Sequence, residues 1–292
     1  MIRQCSVCSG PLHFLLERDG HSIGRCPGCG HQQCMTAGDD DDPSVKYGDE
    51  YFHGGSAGYP DYFGESDLLS AQGRRYASII GKYRGPGSLL DIGCAAGFIA
   101  SGFASSGWKT TGIDPNPSMA RYSREVLGLP ARAGSLEQLD SIGDLDAPSG
   151  GFDLILMIQV IAHLFDLDRA LQQAKAVTSP GGHCLVETWD SESLTARLLG
   201  SLWHEYSPPT VLHYFSRRSL ARLMSRHGFE IVASGRPIKR IRLAHANSLM
   251  RYKYGGNALG KSLCSVIARL PANATLPYPS EDLFWALFRR SA

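Results

Sequence analysis

From residue 66 onward the chain alternates short apolar runs with amphipathic stretches. Residues 66–84 place Leu68, Leu69, Tyr76, Ile79 and Ile80 at helical spacing. Ser88–Ile92 is an apolar run of strand length, followed by a helical pattern over Phe98–Ser106 and a strand over Thr110–Ile113. Asn116 is a good N-cap for a helix over Pro117–Leu127. Ala131–Ala133 reads as a short strand, Phe152–Ile158 as a mostly apolar strand and Leu167–Val177 as a helix. His183–Glu187 is a strand entered from the Pro180-Gly181-Gly182 turn. A helix over Leu220–Arg226 stops at Gly228, Phe229–Ala233 is a strand, and Leu283–Phe288 is a last apolar strand. Apolar strands alternating with helices predict an α/β fold whose parallel sheet is covered on both faces.

The rest of the chain departs from this rhythm. Residues 36–50 read as a solvated linker, and residues 47–64 are dense in aromatics, including Tyr47, Tyr51, Phe52, Tyr59, Tyr62 and Phe63. Residues 236–280 are too long for a simple turn. Within them Ala258–Leu270 has a moderately apolar helical pattern. The expected division is 1–36 as one module, 37–85 as linker and lid helix, and 86–292 as the main domain, with 236–280 as an insertion or cap before the last strand.

The first module is explained by its cysteines. Cys5-Ser6-Val7-Cys8 and Cys26-Pro27-Gly28-Cys29 are two CxxC pairs separated by a hairpin signal at Arg18-Asp19-Gly20. Each pair aims two sulfurs at one point from a tight turn, and zinc takes four such ligands tetrahedrally. The spacing predicts a zinc ribbon with a structural Zn²⁺ on Cys5, Cys8, Cys26 and Cys29. A redox dithiol would need only one pair. Gly10 and Gly30, after the two knuckles, are expected at positive φ. A segment this short needs such a staple to fold.

Composition and charge narrow the field. The chain is 43% hydrophobic and 20% charged, ordinary for a soluble globular protein, and its net charge of +1 points to no polyanionic partner. The segment Met1–Cys5 has no signal-peptide apolar core and no run is long enough for a membrane span, so a cytoplasmic protein is expected. Local charge is uneven. Asp39 to Asp67 holds nine acids and one base, and Arg217 to Lys253 holds ten bases and one acid. The two segments either neutralise each other or form a binding face. With its upstream bases, 236–280 reads as an acceptor cap, a dimer contact or a surface that docks anionic lipid. Monomer and homodimer both remain open.

The candidate chemistry sits at strand ends. Asp91-Ile92-Gly93-Cys94-Ala95-Ala96-Gly97 joins the first strand to the first helix of the alternating region. Gly93 permits a sharp turn and close ligand approach, and Gly97 a close helix start. Asp91 can accept from a ligand ammonium. Asp114 ends the next strand, where a carboxylate can take both ribose hydroxyls. The loop is neither GxGxxG nor a P-loop.

These residues carry a resemblance. Ser88–Gly97 resembles the first motif of class I S-adenosylmethionine-dependent methyltransferases, and Thr111-Gly112-Ile113-Asp114-Pro115-Asn116 resembles their second. Phe152–Leu164 is similar to their fourth strand and its sequel, and Ser179–Thr188 to the turn into the fifth. The resemblance implies a Rossmann-like seven-stranded sheet with the last strand antiparallel, formed by Leu283–Phe288. It implies that Asp91 and Gly93 meet the methionine part, with Cys94 and Gly97 in the same turn, and that Asp114 and Pro115 meet the ribose. Ser135 and Leu136 would meet adenine, Gln159 would lie beside the cofactor, and Tyr62 would lie over it as a lid. Ala95 stands where glycine is commoner, and Ala162 where the family often has Glu before the histidine. Proteins similar to this one in pairing a zinc ribbon with the core include sugar C-methyltransferases, and others with the same core use quinone acceptors.

The expected activity is methyl transfer to a small-molecule acceptor such as a sugar, a quinone or phenol, or a lipid-like compound. Such a displacement needs alignment, exclusion of water and sometimes removal of a proton. His163, just past the fourth strand, and His213, in the long connection after the fifth, are the candidate bases; His213 is the one favoured. The alternative is an RNA methyltransferase binding nucleic acid through the ribbon and the basic 217–253 stretch. The ribbon disfavours it, setting Arg3, Arg18 and Arg25 against Glu17 and Asp19. A non-enzymatic module would need a vestigial motif, yet Asp91, Gly93, Gly97 and Asp114 are intact.

Overall fold

The structure is a computed structural model, and residues 3–36, 48, 62–141, 145, 147–243, 274–278 and 280–291 are described. The expected helix over Ala258–Leu270 and the aromatics Tyr47, Tyr51, Phe52 and Tyr59 lie outside them.

The N-terminal segment folds as a hairpin, β1 (His13–Arg18) and β2 (His21–Arg25), with a third strand β3 (Gln32–Cys34). Its turn puts Asp19 at φ 47° and Gly20 at φ 78°, the two positive angles a tight two-residue hairpin demands. Helix α1 (Ser66–Ile80) follows a 3-10 turn at Phe63–Glu65. The alternating region then gives β4 (Ser88–Ile92), α2 (Phe98–Ala104), β5 (Lys109–Asp114), α3 (Pro117–Glu125), β6 (Ala131–Ala133), β7 (Phe152–Ile158), α4 (Leu167–Val177) and β8 (Thr178–Trp189). After α5 (Leu194–Leu199) and the two-residue strand β9 (His213–Tyr214) come α6 (Arg217–Arg226), β10 (Phe229–Gly235), the short pair β11 (Arg240–Arg242) and β12 (Thr275–Pro277), and β13 (Leu283–Arg290).

Seven strands share one sheet in the order β10-β13-β8-β7-β4-β5-β6, with β13 antiparallel to both neighbours. This is the Rossmann-like sheet the motifs imply. Alternate residues of each central strand enter opposite layers. Leu90, Ile92, Ile155, Met157 and Val186 pack with α4 and α6, while Leu89, Leu154, Leu156 and Leu185 pack with Tyr76 and Ile80 of α1. Burial of such side chains on both faces, worth about 1.5–3 kcal/mol each, is why these strands lack a polar alternation. Helices α1 and α2 cross through Gly73 and Gly102. A Cβ on Gly102 would lie 2.1 Å from the Ser70 carbonyl oxygen.

Boundaries differ from expectation in two places. The Pro180-Gly181-Gly182 turn lies inside β8 as a register shift, because Thr178 already pairs with Phe152 before His183 pairs with Leu154. Helix α6 starts at Arg217, where the Ser216 side chain caps it reciprocally with Ser219. Asn116 caps α3 as expected, accepting from the amides of Ser118 and Met119.

The N-terminal segment does not stand apart. β3 pairs with β9, so the ribbon and the catalytic region complete one four-stranded sheet, β1-β2-β3-β9. Arg226 of α6 donates to the carbonyls of Ser6 and Val7 at 3.2 and 2.6 Å, and Tyr206 donates to Gln32 at 2.6 Å.

Candidate active site

The turn after β4 is shaped by backbone. The Gly93 and Cys94 amides both donate to the Ile113 carbonyl, at 2.8 and 3.1 Å, which folds the loop back over β5. Gly93 has φ 66°, and a Cβ there would come within 2.5 Å of Val160. Gly97, at φ 85°, begins α2. The Cys94 thiol turns away into a pocket of Ala120 and Ala131, so only its backbone borders the turn.

Asp91 and Asp114 converge behind this turn, both buried. The Asp114 carboxylate accepts from the Ala95 amide at 2.7 Å and the Asn116 amide at 2.9 Å. Burial raises its pKa to about 6, against the lowering effect of those two amides. Asp91 is pushed up to about 8 by burial and by the charge of Asp114, and its Oδ2 has no hydrogen-bond partner in the protein. A buried, unpartnered carboxyl oxygen at a strand's carboxyl end fits a ligand that brings a cation. The residues present therefore fit S-adenosylmethionine, for which Asp91 is the expected partner of the ammonium and Asp114 that of the ribose. Pro115, half-buried, follows Asp114 directly.

Other expected residues surround the same edge. Tyr62 is buried against Phe98, ring centroids 5.3 Å apart, in a cluster with Ala95 and Ala96 of the turn. Leu136 is buried in the main core, and Ser135 beside it is also buried. Gln159, at φ 61°, donates from its side chain to Glu187 at 2.8 Å. Glu187 itself is fully buried near the carboxyl end of β8; Tyr76 also donates to it, and Lys239 pairs with it at 2.5 Å. Sequence reasoning singled out neither Glu187 nor Lys239, which the structure brings together beside Gln159. The only signal was an acid inside the apolar run of a strand.

The two histidines fare differently. His213 is corrected: it is not poised over an acceptor. As part of β9 it is buried in the seam between ribbon and sheet, its Nε2 donating to the Leu164 carbonyl at 3.0 Å and its Nδ1 facing His31 Nε2 at 3.3 Å. Burial lowers its pKa to about 4, so it is neutral there, with both ring nitrogens engaged by the protein. His163 is half-buried after β7, and its Nδ1 donates to the Thr210 carbonyl at 2.7 Å. The loop that carries Trp203 and Tyr206 closes the domain: the Trp203 indole donates to Asp282 at 3.0 Å and Tyr206 reaches the ribbon.

The four ribbon cysteines come together. Their sulfurs lie within 4.8 Å of one another, with Cys5–Cys29 at 3.5 Å and Cys8–Cys26 at 3.4 Å. A tetrahedral site with bonds of about 2.3 Å separates its sulfurs by about 3.8 Å, so the cluster has the dimensions for zinc. Gly30 has positive φ as expected, but at the first knuckle Ser9 takes it, at φ 59°, instead of Gly10. Gly10 is needed for space: a Cβ there would lie 3.3 Å from the Cys26 sulfur.

The basic 217–253 stretch, where described, is largely committed inside the molecule. Arg217 pairs with Asp190, Arg236 with Glu281 and Arg242 with Asp67 of the acidic segment. Among the described residues no helix is long and apolar enough to cross a membrane.

Comparison with known proteins agrees with this geometry. The model of a family described as "Methyltransferase domain" matches residues 68–234, more than half of the chain. The ubiquinone biosynthesis O-methyltransferase of Rhodopseudomonas palustris (strain BisB18) is 33% identical over 115 residues, 36% of this chain and 42% of that protein. The enzyme of the same name from Paramagnetospirillum magneticum is 35% identical over 100 residues, 32% of this chain and 37% of that one. The chain thus spans about two fifths of the length of these curated relatives. A SAM-dependent methyltransferase from Archaeoglobus fulgidus shares the fold, with a TM-score of 0.50 at 15% identity over 77% of this chain and 94% of that one. With a matched family model, the expected sheet order and an acid-lined turn that fits the methyl donor, the chain belongs to the methyltransferase-domain family.

Proposed function

We propose that this chain is an S-adenosylmethionine-dependent methyltransferase acting on the hydroxyl of a small aromatic acceptor of the quinol or phenol type. The observation that carries this reading is that the curated relatives aligned with the catalytic region are O-methyltransferases of ubiquinone biosynthesis. S-adenosylmethionine supplies an activated methyl group with its leaving group attached. Asp91 and Asp114 hold the donor and the Tyr62 lid limits water at the turn. His163, its tautomer set by Thr210, takes the acceptor's proton in place of His213. Residues 1–36 form a zinc ribbon whose closed four-thiolate shell is structural, since it leaves no position for a substrate. Tyr62 and Phe63 supply the lid, the helix over Ser66–Ile80 belongs to the core layer, and 86–292 is the donor-binding domain.

Purified protein incubated with methyl-labelled S-adenosylmethionine should label a simple catechol and leave total RNA unlabelled. Label entering RNA in place of the catechol would sink the proposal, and label found only in added sugars would move it to another acceptor class.

A further inference from the structure

Glu187 lies fully buried under α1, outside both the donor turn and the ribbon. A buried carboxylate is costly unless it is paired, and this one is paired three ways. Tyr76 donates to Oε2, Gln159 donates to Oε1 at 2.8 Å, and the Lys239 ammonium meets the same Oε1 at 2.5 Å. Burial keeps Tyr76 a phenol, its pKa raised well above the ordinary value. Tyr76 and Glu187 are fully buried, whereas Gln159 and Lys239 are partly exposed, the Lys239 side chain at 25%.

The position of this array matters more than its stability. Gly93 of the donor turn touches Val160, the residue after Gln159, and Gln159 shares Glu187 Oε1 with Lys239. Contact therefore runs without a break from the donor turn to the ammonium. On its other side, the segment that carries Lys239 continues to Arg242, whose guanidinium donates to the Gly64 carbonyl at 2.7 Å and to Asp67 at 2.6 Å. Gly64 adjoins the Tyr62–Phe63 lid. Lys239 thus belongs to a segment that is tied at one point to Glu187, next to Gln159, and at another to the turn that follows Phe63.

We propose that Lys239, held by Glu187, receives the acceptor's nucleophilic oxygen as an oxyanion, and that the acceptor is a phenol or enol acidic enough to bind in that form. This rests on the hydroxyl-acceptor reading above. The hydroxyl proton passes to the base proposed above. The oxygen lone pair forms the new O–CH₃ bond as the S–CH₃ bond breaks with its electrons going to sulfur. A methyl ether and the neutral thioether S-adenosylhomocysteine remain. Lys239 stays protonated throughout, so its part is electrostatic. Glu187 touches no substrate; it is a positioning residue that keeps the ammonium at the edge.

The test uses 4-nitrocatechol, whose phenolate absorbs in the visible, bound to the full chain in the presence of S-adenosylhomocysteine. An adjacent cation lowers an acid's pKa by about one to three units. The wild type should lower the ionisation midpoint of the bound dye by that amount. Lys239→Met should return it to the value in free solution, and Lys239→Arg should keep it low. Glu187→Gln should restore it partly. Calorimetry with S-adenosylhomocysteine, unchanged in Lys239→Met, shows that the variant is folded. With catechol as acceptor, Lys239→Met should lower kcat/KM by about 10²–10³-fold. A bound dye that ionises equally in wild type and Lys239→Met overturns the proposal, as does a wild type that does not bind or ionise the dye. If the bound dye ionises through Lys239 but catechol is never methylated, the oxyanion site stands and the acceptor reading falls. If catechol is methylated equally by wild type and Lys239→Met, the acceptor reading stands and the Lys239 proposal falls.

Discussion

At the scale of single residues, the donor turn is built from groups that are uncomfortable without their ligand. Ala95 sits at φ 46°, in the left-handed region that costs a non-glycine residue about 1–2 kcal/mol. Glycine there relieves that strain but loses about 0.5–1 kcal/mol to chain entropy. Ala95→Gly should therefore be neutral or stabilising by up to about 1 kcal/mol, read by thermal unfolding; a clear fall in stability would show that the Ala95 methyl, not the turn, is what matters. Asp91 has the opposite problem. Its folded pKa, about 8, lies above its ordinary value, so the folded free protein holds a proton that the unfolded chain releases. Stability of the donor-free protein should decline as pH rises from about 4 to about 8, with Asp114 contributing up to about 6. A ligand ammonium favours the ionised form. S-adenosylhomocysteine should thus bind more tightly at pH 8 than at pH 6, and Asp91→Asn should both weaken binding and flatten that slope. Affinity independent of pH in the wild type would contradict the assignment. Asp91, Gly93 and Asp114 stood out as candidates in the sequence because the pattern that marks them is local, a turn and two strand ends. Glu187 and Lys239 are 52 positions apart and meet only through the sheet, so no spacing rule joins them.

At the scale of elements, the strands that were long and apolar announced themselves, and the shortest did not. β4 and β7 occupy the expected residues, whereas β9 is two residues long and has no periodicity to read. That omission mattered, because β9 carries His213 and ties the ribbon to the catalytic region. His213 looked like a base on a loop; it is a strand residue buried in a seam. Since β3 pairs with β9, and the ribbon residues Cys5, Val7, Cys26 and Cys29 share a core with Phe215 and Leu220, losing the metal should be felt beyond the ribbon. Metal analysis should find about one zinc per chain. Chelation should lower the melting temperature of the whole catalytic unit, and a catalytic unit whose melting is unmoved by chelation would show that the ribbon is a passenger. Arg226→Ala removes the donor to the Ser6 and Val7 carbonyls and should cost about 1–3 kcal/mol, measured by denaturant unfolding.

At the scale of the whole molecule, the sheet order sets the site. In an open α/β sheet ligands bind outside the carboxyl ends of the strands, and here Asp91, Asp114, Gln159 and Glu187 all lie at those ends. The antiparallel β13 beside β8 leaves β10 parallel to β8, so the chain leaving β10 delivers Lys239 to the same edge. The alternation of apolar runs revealed the fold class, but the joining of ribbon to core, and of Lys239 to Glu187, are tertiary facts that no local pattern encodes. If His163 takes the acceptor's proton, His163→Ala should lower turnover on catechol by about 10²–10⁴-fold with donor affinity near wild type; unchanged turnover would assign the proton elsewhere. The measurement that bears most directly on the account is calorimetric titration of the wild type and of Asp114→Ala with S-adenosylmethionine. One site per chain is expected in the wild type, and sharply weakened binding in the variant. A wild type that binds no S-adenosylmethionine, or an Asp114→Ala variant that binds it equally well, would contradict the donor site described here.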